Sequence, residues 1–300
     1  MDPAGNYSNK TKAELNPSLI LDGKTPRLID EWQEVPGIWD AVRFDADKTP
    51  GFGKYILTGS VTPPRESYKH SGAGRFAILR MRPMTLYESG DSVGAVSFAQ
   101  VFSGKNIKPF NADIDLVSLI DITIRGGWPQ TLNLPIEKAG SVSVEYIPGW
   151  NPGIRSKTRI RMSNKIVFAD PSLAIAVLGI GRKYLLGDLN TYGFMFENLC
   201  LRDICAYAEF YGGSLYHYRD NSNLEVDAII EMKNGTWGAF EIKLGENQIE
   251  AAACSLIRLR NKLVSNGARE PSCLAVITGG GFGRKRMDGV FVIPINALKP

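Results

Sequence analysis

The order of apolar patterns in residues 189–294 constrains the fold of this 300-residue chain more than any other feature. A long segment of helical periodicity comes first, and three segments of strand type follow it. Asn234-Gly235, between the second and third of these strands, is a strong signal for a tight hairpin turn. A second helical segment and two further strand segments complete the region. The pattern predicts an α/β domain with one sheet between two helices, in the order αβββαβ with one extra strand.

The predicted elements of this region have definite bounds and definite buried faces. The helices are expected at Leu189–Tyr211 and Gln248–Leu263. The strands are expected at Ser214–Arg219, Leu224–Met232, Thr236–Leu244, Cys273–Thr278 and Val290–Pro294. Residues three or four apart share a helix face, so each helix is expected to bury one apolar stripe. The stripe residues are Phe194, Leu201, Ile204 and Ala208 in the first helix, and Ile249, Ala253, Leu256, Leu259 and Leu263 in the second.

Two carboxylates and a lysine are expected to meet in this domain. Asp227 lies inside the second strand, and Glu241 and Lys243 end the third, where alternation puts both side chains on one face. Antiparallel pairing through the hairpin turn brings Asp227 next to them, and Glu197, on the apolar stripe of the first helix, is a fourth candidate. Charged groups in apolar surroundings are costly unless they are paired or bind a cation. The acids are therefore candidate Mg²⁺ ligands, and Lys243 is a candidate for orienting or polarising a water molecule.

The element order and the D…E-x-K pattern resemble the PD-(D/E)XK nuclease superfamily, whose core has the same αβββαβ order. The resemblance implies a restriction-endonuclease-like fold. The leading proline of the superfamily motif is absent here, because Val226 precedes Asp227. Two alternatives stay open: a Mg²⁺-dependent nuclease, and a structural lysine–carboxylate network in a non-catalytic DNA-binding or interaction module. The residues concerned are Asp227, Glu241, Lys243 and Glu197.

Residues 1–90 alternate short apolar strands with loops and a helix, which favours a parallel α/β sheet. The expected elements are strands at Pro26–Ile29, Tyr55–Thr58 and Phe76–Met81 and a helix at Pro36–Lys48. The first strand leads into Asp30 and Glu31, as in a Walker B segment, where one acid helps to hold Mg²⁺ and the next polarises the attacking water. The other candidate residues of this nucleotide site are Thr58, Ser60 and Arg75.

Residues 91–150 are expected to form a shortened helical linker. They contain two short helical patterns, Ser97–Phe102 and Ile114–Ile124, before a glycine-rich turn at Arg125–Pro129. The chain is thus predicted to consist of an ATPase-like domain over 1–90, this linker over 91–150, and a nuclease-like domain over 151–300.

The net charge of +4 is distributed unevenly. Residues 155–165 include five basic side chains and no acidic one, and a second cluster, Arg284-Lys285-Arg286, follows three consecutive glycines. Such clusters attract phosphate backbones, and a solvated surface face is the alternative for each. The expected nucleic-acid contacts are Arg155, Lys157, Arg159 and Arg161.

Cysteine and histidine usage excludes several classes of site. The four cysteines form no C-x-x-C pair, and His70 and His217 have no second ligand at helical spacing. Any metal is therefore expected on oxygen ligands, which favours Mg²⁺. The candidate metal ligands are Asp227, Glu241 and Asp30. The longest apolar run, Leu173–Ile180, is too short to span a membrane, and the N-terminus has no secretory pattern. We expect a cytoplasmic protein that associates with DNA and not with a membrane, and a homo-oligomer stays open.

Several segments of the chain are more specific as an ordered set than singly. They are LIDEWQ, LTGS, SGAGR followed by RMRPMTLYESG, RGGWP, GWNPGIRSKT, FADPSLAIAVLG, NTYGFMFENLCLRD, YRDNSNLEVDAII, GAFEIKLG and ITGGGFGRKRMDGV. In this order they resemble one prokaryotic group, the AAA-type ATPases that carry a C-terminal domain of unknown function (DUF 4143). The resemblance implies an ATPase module, a helical or winged linker and a nuclease-like C-terminal domain, with ATP as a cofactor of the group.

The chain departs from that group in its phosphate-binding loop. A P-loop requires G-x-x-x-x-G-K-[ST], whereas the only Gly-Lys-Thr, at 23–25, has Ser18 at the first glycine position and Pro26 after it. We therefore expect a truncated chain without Walker A and without part of the central helical segment; a different start codon is the alternative. The expected function is that of an AAA-type ATPase family protein, unable to bind ATP and associated with DNA.

Overall fold

The computed structural model describes residues 8–48, 51–59, 75–77, 79–129, 144–152 and 163–300. Contacts along the chain divide it into two units, Met1–Arg80 and Met81–Pro300, and each is described by itself. Both contain helices and strands, so the fold is mixed α/β. Within the described ranges, no helix has the length and hydrophobicity that a membrane crossing requires.

The first unit contains a small parallel sheet. Its elements are α1 (Ser8–Leu15), β1 (Arg27–Asp30), α2 (Gly37–Lys48) and β2 (Tyr55–Thr58). The two strands pair in parallel, with Asp30 opposite Thr58 at their carboxyl ends. Apolar side chains from β1, α2 and the turns around them form one buried cluster, which includes Ile29, Trp32, Ile38 and Val42. The predicted strands and helix of residues 26–58 are thus present.

The strand predicted at Phe76–Met81 is wrong for the described residues of that segment, which have no strand structure. The aromatic ring of Phe76 instead stacks on Trp39 of α2, with 3.9 Å between the ring centroids. An apolar residue can be buried by such a side-chain contact without a backbone ladder, and periodicity alone does not distinguish the two cases.

The second unit begins with short elements. They are β3 (Val96–Ser97), α3 (Phe98–Phe102), β4 (Phe110–Asn111), α4 (Leu116–Arg125), β5 (Val144–Ile147), β6 (Lys165–Phe168), α5 (Pro171–Leu178) and α6 (Arg182–Gly187). Two of the helices begin at aspartates whose side chains accept backbone N–H groups, Asp115 before α4 and Asp170 before α5. Part of residues 91–150, the predicted linker, therefore contributes strands and helices to this unit.

The second unit continues with the predicted αβββαβ order. Its elements are α7 (Leu189–Phe210), β7 (Gly213–Arg219), β8 (Glu225–Met232), β9 (Trp237–Lys243), α8 (Ile249–Ser265), β10 (Cys273–Thr278), β11 (Phe282–Lys285), β12 (Phe291–Pro294) and β13 (Leu298–Lys299). Seven strands form one mixed sheet in the order β4-β11-β12-β10-β9-β8-β7. The strands β9, β10 and β12 are parallel, and β7, β8 and β9 are antiparallel neighbours.

The sheet separates two apolar cores. On one face, α7 packs on side chains that include Phe240 and Ile242 of β9. On the other face, α8 packs on side chains that include Trp237 and Ala239 of the same strand. Alternation along β9 therefore assigns Glu241 and Lys243 to the α8 face, because they continue the odd-numbered series.

One predicted core position is wrong, and β11 is among the strands that were not predicted. Phe194 of α7 is 70% exposed, whereas Tyr192 and Phe196 on either side of it are fully buried. Many residues of α7 are apolar, so the sequence does not show which stripe faces inward. The strand β11 is short, follows three glycines and carries three charges with the next residue, so its sequence reads as a turn.

Candidate functional site

A bulge in β8 positions Asp227 at the end of the antiparallel ladder. Tyr216 of β7 pairs with Ile229, whereas Tyr218 pairs with Val226, so β8 has one extra residue between these pairs, next to Asp227. Such bulges redirect side chains and terminate pairing. The backbone N–H of Ile242 donates to the Asp227 Oδ2 atom at 2.8 Å, so this side chain takes the donor that a continued ladder would have used.

Asp227 and Glu241 face each other across β8 and β9. Ala228 pairs with Phe240, so the next pair outward is Asp227 and Glu241. The ammonium group of Lys243 bridges them, with its Nζ atom 3.1 Å from Asp227 Oδ2 and 2.6 Å from Glu241 Oε2. The structure thus brings together three of the four predicted side chains of this site.

The electrostatics of this site favour a second positive charge. Burial raises the pKa of Glu241 to about 8, and the nearby Asp227 carboxylate contributes further to the rise. The pKa of Lys243 also lies above its ordinary value, because its two carboxylate partners outweigh the effect of burial. Two carboxylates share one ammonium, so the full ionisation of all three groups leaves a net negative charge in a largely buried place.

Glu197 has a different partner. It lies on α7, and its carboxylate accepts a hydrogen bond from Lys165 of β6. Among the described residues, no hydrogen bond or ion pair joins Glu197 to the Asp227 cluster. The thiol of Cys200, whose pKa is raised first by burial, is also affected by the charges of Glu197 and Asp227. Glu197 and Asp227 thus both lie within electrostatic range of Cys200, but no contact joins Glu197 to the site among the described residues.

The predicted nucleotide-site residues lie in the first unit, and the structure joins two of them. Thr58 donates its hydroxyl to Asp30 at 2.6 Å, which lowers the pKa of that carboxyl group. Glu31, in a left-handed conformation, accepts a hydrogen bond from Gln33. Arg75 donates to Asp47 at 2.8 Å instead of facing Asp30. Ser60 lies outside the described residues.

The residues that flank the predicted basic segment contact the sheet. Its candidate contacts Arg155, Lys157, Arg159 and Arg161 lie outside the described residues. Both flanks are joined to His217 of the edge strand β7. The backbone of His217 bonds to Pro148 and Trp150, and its imidazole Nε2 lies 2.9 Å from the carbonyl oxygen of Ser163. The described residues on either side of 153–162 therefore bond to one and the same residue of the sheet.

A second charged cluster, which the sequence analysis missed, lies in the interior of the second unit. Arg202 of α7 donates to Asp170 at 2.7 Å and to Asp203 at 2.8 Å, and all three side chains are buried. Asp170 also accepts the backbone N–H of Gly127, and Asp203 that of Leu86. Burial raises the pKa of Asp203 against the opposing charge of Arg202, while the pKa of Arg202 itself lies above its ordinary range, so the guanidinium keeps its charge. The Asp170-Pro171 sequence indicates a helix cap at the start of α5, but no local sequence pattern indicates that Asp170 pairs with Arg202.

Metal-binding capacity is limited to small donor sets in the part of the chain that the structure describes. No group of three or more histidine, cysteine, aspartate or glutamate side chains converges there as a metal site needs. Asp227 and Glu241 supply two carboxylates, and Asp30, in the other unit, supplies one that is bonded to Thr58. Mg²⁺ is commonly held by only one or two carboxylates, with water and substrate phosphates completing its shell. Asp227 and Glu241 therefore fit this cation as a partial site.

Comparison with known families identifies part of the second unit. Residues 192–298 match the model of a family described as a domain of unknown function (DUF4143). The matched range begins in α7, ends in β13 and includes the whole Asp227 cluster. No curated protein and no solved structure matched the chain. The second unit thus contains a DUF4143 domain, and the chemistry of its site rests on the geometry above.

Proposed function

We propose that the second unit binds Mg²⁺ at Asp227 and Glu241 and acts there on the phosphodiester backbone of nucleic acid, as a site of the PD-(D/E)XK nuclease kind. One observation carries this proposal: two carboxylates oppose each other at a strand bulge, and only one ammonium group lies between them. The αβββαβ order of the domain supports it. A purely structural network would be expected to supply both of its acids with backbone donors, whereas here the backbone supplies one N–H, from Ile242 to Asp227.

A divalent cation suits the net negative charge that the cluster has when both of its acids are ionised. Among the described residues, the polar partners of the Glu241 carboxylate are the side chains of Lys243 and Asp227, and no backbone donor satisfies it. A bound Mg²⁺ would polarise a phosphodiester oxygen as a Lewis acid. The carboxylate pair would orient that cation, and the largely buried setting would strengthen its attraction to them.

Lys243 supplies a positive charge on the more exposed side of the site. Its side chain is 28% exposed, whereas that of Glu241 is 6% exposed, so the ammonium lies on the solvent side of the buried acid. With a cation on the carboxylates, the ammonium is free to donate to a backbone phosphate or to orient a water molecule. Lys243 has that role in the proposed site.

DNA is the expected substrate or partner because of the charge distribution. The basic segment 155–165 belongs to the same unit as the Asp227 cluster, and its flanks are fixed to the sheet through His217. Basic side chains that neutralise phosphates release counterions, so such a segment gives sequence-independent affinity. We propose that it holds the nucleic-acid backbone. A cytoplasmic location stays a prediction.

A second proposal concerns the first unit: an ATPase-like sheet that does not bind ATP in this form. The hydrogen bond between Thr58 and Asp30, at the carboxyl ends of two parallel strands, favours a former nucleotide-binding edge. The sequence contains no P-loop pattern to supply the backbone N–H groups that cradle phosphates. Titration with a fluorescent ATP analogue should detect no micromolar binding. Binding that is lost in Asp30→Ala would contradict this proposal.

Cleavage of labelled DNA in the presence of Mg²⁺ or Mn²⁺ tests the main proposal. The full chain is compared with Asp227→Asn and with Asp121→Asn, a matched control whose aspartate binds Arg182 on the surface of α4. Metal-dependent cleavage by the parent and the control, lost in Asp227→Asn, is expected. Cleavage that survives in Asp227→Asn would assign it to another site or a contaminant, and no cleavage by the parent would leave a binding role only.

A further inference from the structure

The three side chains of the second basic cluster, residues 284–286, have different partners. Lys285 turns inward, where its ammonium lies 4.8 Å from the ring centroid of Phe291. Arg286 donates to Glu250 at 2.7 Å and also binds the neighbouring Asp288. Both charges are therefore engaged within the protein. The attraction for phosphate that the sequence suggests for the whole cluster has to come from its remaining member.

Arg284 is that member. Among the described residues, its guanidinium donates to one acceptor, the backbone carbonyl of Phe282 at 3.0 Å, and no carboxylate lies within ion-pair distance. The ring of Phe282, two residues earlier on the same strand face, is 46% exposed. An uncompensated guanidinium and an exposed aromatic ring thus stand side by side on β11.

The register of the sheet places this pair in line with the Asp227 site. Arg284 is opposite Val292, Val292 is opposite Val276, and Val276 is opposite Glu241. Residues paired in this way share one face, so Arg284 and Glu241 project from the same side of the sheet. Three strand spacings separate them, which is about 14 Å.

Two residues further along the strands, at the carboxyl end of the parallel ones, Phe282 and Lys243 are aligned in the same way. Lys243 is opposite Thr278, Thr278 is opposite Pro294, and the β11 register continues to Phe282 at that position. The aromatic ring is thus aligned with the lysine, as the guanidinium is with the glutamate. Both features of β11 lie at the end of the sheet where ligands of α/β proteins commonly bind.

We propose that Phe282 and Arg284 form a binding subsite for single-stranded nucleic acid that leads to the Asp227 site. The inference rests on the proposed function and adds to it the strandedness of the substrate. Arg284 binds a backbone phosphate, and the Phe282 ring stacks on a base. In a duplex both faces of a base are already stacked, so an exposed ring of this kind selects unpaired bases.

One acidic side chain at this end of the sheet sharpens the inference. Glu246, the first residue of a short 3-10 helix after β9, lies against Gly281, the residue before Phe282. A polyanion that contacts both β11 and the Asp227 site has to pass this carboxylate. Glu246→Gln is therefore expected to tighten the binding of nucleic acid, whereas it would weaken the binding of a cationic partner.

Fluorescence anisotropy with labelled oligothymidine, in EDTA to prevent cleavage, tests the subsite on the full chain. Phe282→Leu keeps an apolar side chain but removes the ring, and it should weaken binding about tenfold, whereas Phe282→Tyr should bind like the parent. Arg284→Gln should reduce the slope of log affinity against log salt by about 0.7. Lys233→Gln, exposed at the hairpin turn on the opposite end of β9, should change neither quantity.

The outcomes separate this inference from the proposed function. Equal affinity of Phe282→Leu and the parent, or the same loss of affinity for a duplex, overturns the stacking subsite. A parent that shows no oligothymidine binding but is stabilised by Mn²⁺ also overturns the subsite and leaves the metal site standing. Oligothymidine binding that depends on Phe282, without any stabilisation of the chain by Mn²⁺, supports the subsite and contradicts the proposed metal site. A triple variant with Arg155, Arg159 and Arg161 each changed to Ser should weaken the binding of single strands and of duplexes alike.

Discussion

Two clusters in the second unit have the same charges, one basic side chain between two carboxylates, but different surroundings. Arg202 bridges Asp170 and Asp203 in the interior, with side chains at most 2% exposed. Lys243 bridges Asp227 and Glu241 at the end of the sheet, where it is 28% exposed. The same set of charges therefore occurs once sealed from solvent and once open to it.

The difference lies in what else the carboxylates accept. Asp170 takes N–H groups from Gly127 and Ser172, and Asp203 takes one from Leu86, so both acids are filled by fixed donors. In the other cluster the backbone supplies one donor in all, the Ile242 N–H to Asp227, and among the described residues none to Glu241. A planar guanidinium also binds two acids in a fixed geometry, whereas an ammonium is a movable point charge. The first cluster joins segments of the fold, and the second has capacity left for a ligand.

The largest effect is expected from removing the buried cation. Arg202→Met leaves two carboxylates without their partner in the interior, which should lower the free energy of unfolding by about 3–5 kcal/mol. The surface pair of Arg182 and Asp121 provides the control, since Arg182→Met should cost less than about 1 kcal/mol. Urea unfolding of both variants measures the difference. Equal losses would show that burial does not distinguish these ion pairs.

A smaller effect is expected from Lys243→Met. Solvent reaches this lysine, and Glu241 can take up a proton when the ammonium is lost, so the free energy of unfolding should fall by less than half the loss in Arg202→Met. Addition of Mn²⁺ should recover this loss, because the cation replaces the missing positive charge. It should recover nothing in Arg202→Met. Recovery in both variants, or in neither, would remove the distinction between the two clusters.

The most gradual of the expected effects is a pH dependence. The pKa of Glu241 is about 8 in the folded state and 4.5 ordinarily, so the folded chain retains a proton that the unfolded chain has lost between these values. The free energy of unfolding should therefore fall as pH rises from about 4.5 to about 8, by less than 1.4 kcal/mol per pH unit. Glu241→Gln should flatten this dependence. A slope unchanged in the variant would assign the titration to other groups.

Elements with their own periodic pattern could be predicted from the sequence, and those defined by distant partners could not. All five predicted stripe residues of α8 are buried, because its polar and apolar faces alternate clearly. The prediction for Phe194 is wrong because Tyr192 and Phe196, two residues to either side, belong to an equally apolar stripe. The strand β11 is defined by pairing with Phe110–Asn111 and with β12, and no local pattern shows those contacts.

The candidate site shows the same division. The Asn-Gly turn sets the register of β8 and β9, so counting outward from it brings Asp227 opposite Glu241. The bulge that lets Asp227 accept the Ile242 N–H depends on pairing with β7, which the sequence does not specify. Glu197 was expected in the site from its helical stripe, but α7 covers the other face of the sheet. The role of Lys165 as its partner is a long-range contact of the same kind.

A melting curve with and without Mn²⁺ tests most directly whether the Asp227 cluster is a cation site. A cation that binds only the folded chain stabilises it by about 2.7 kcal/mol at a hundred times its dissociation constant. We predict a higher Tm with Mn²⁺ for the parent and for Asp121→Asn, and no shift for Asp227→Asn. No shift in the parent, or a shift that persists in Asp227→Asn, would contradict the account.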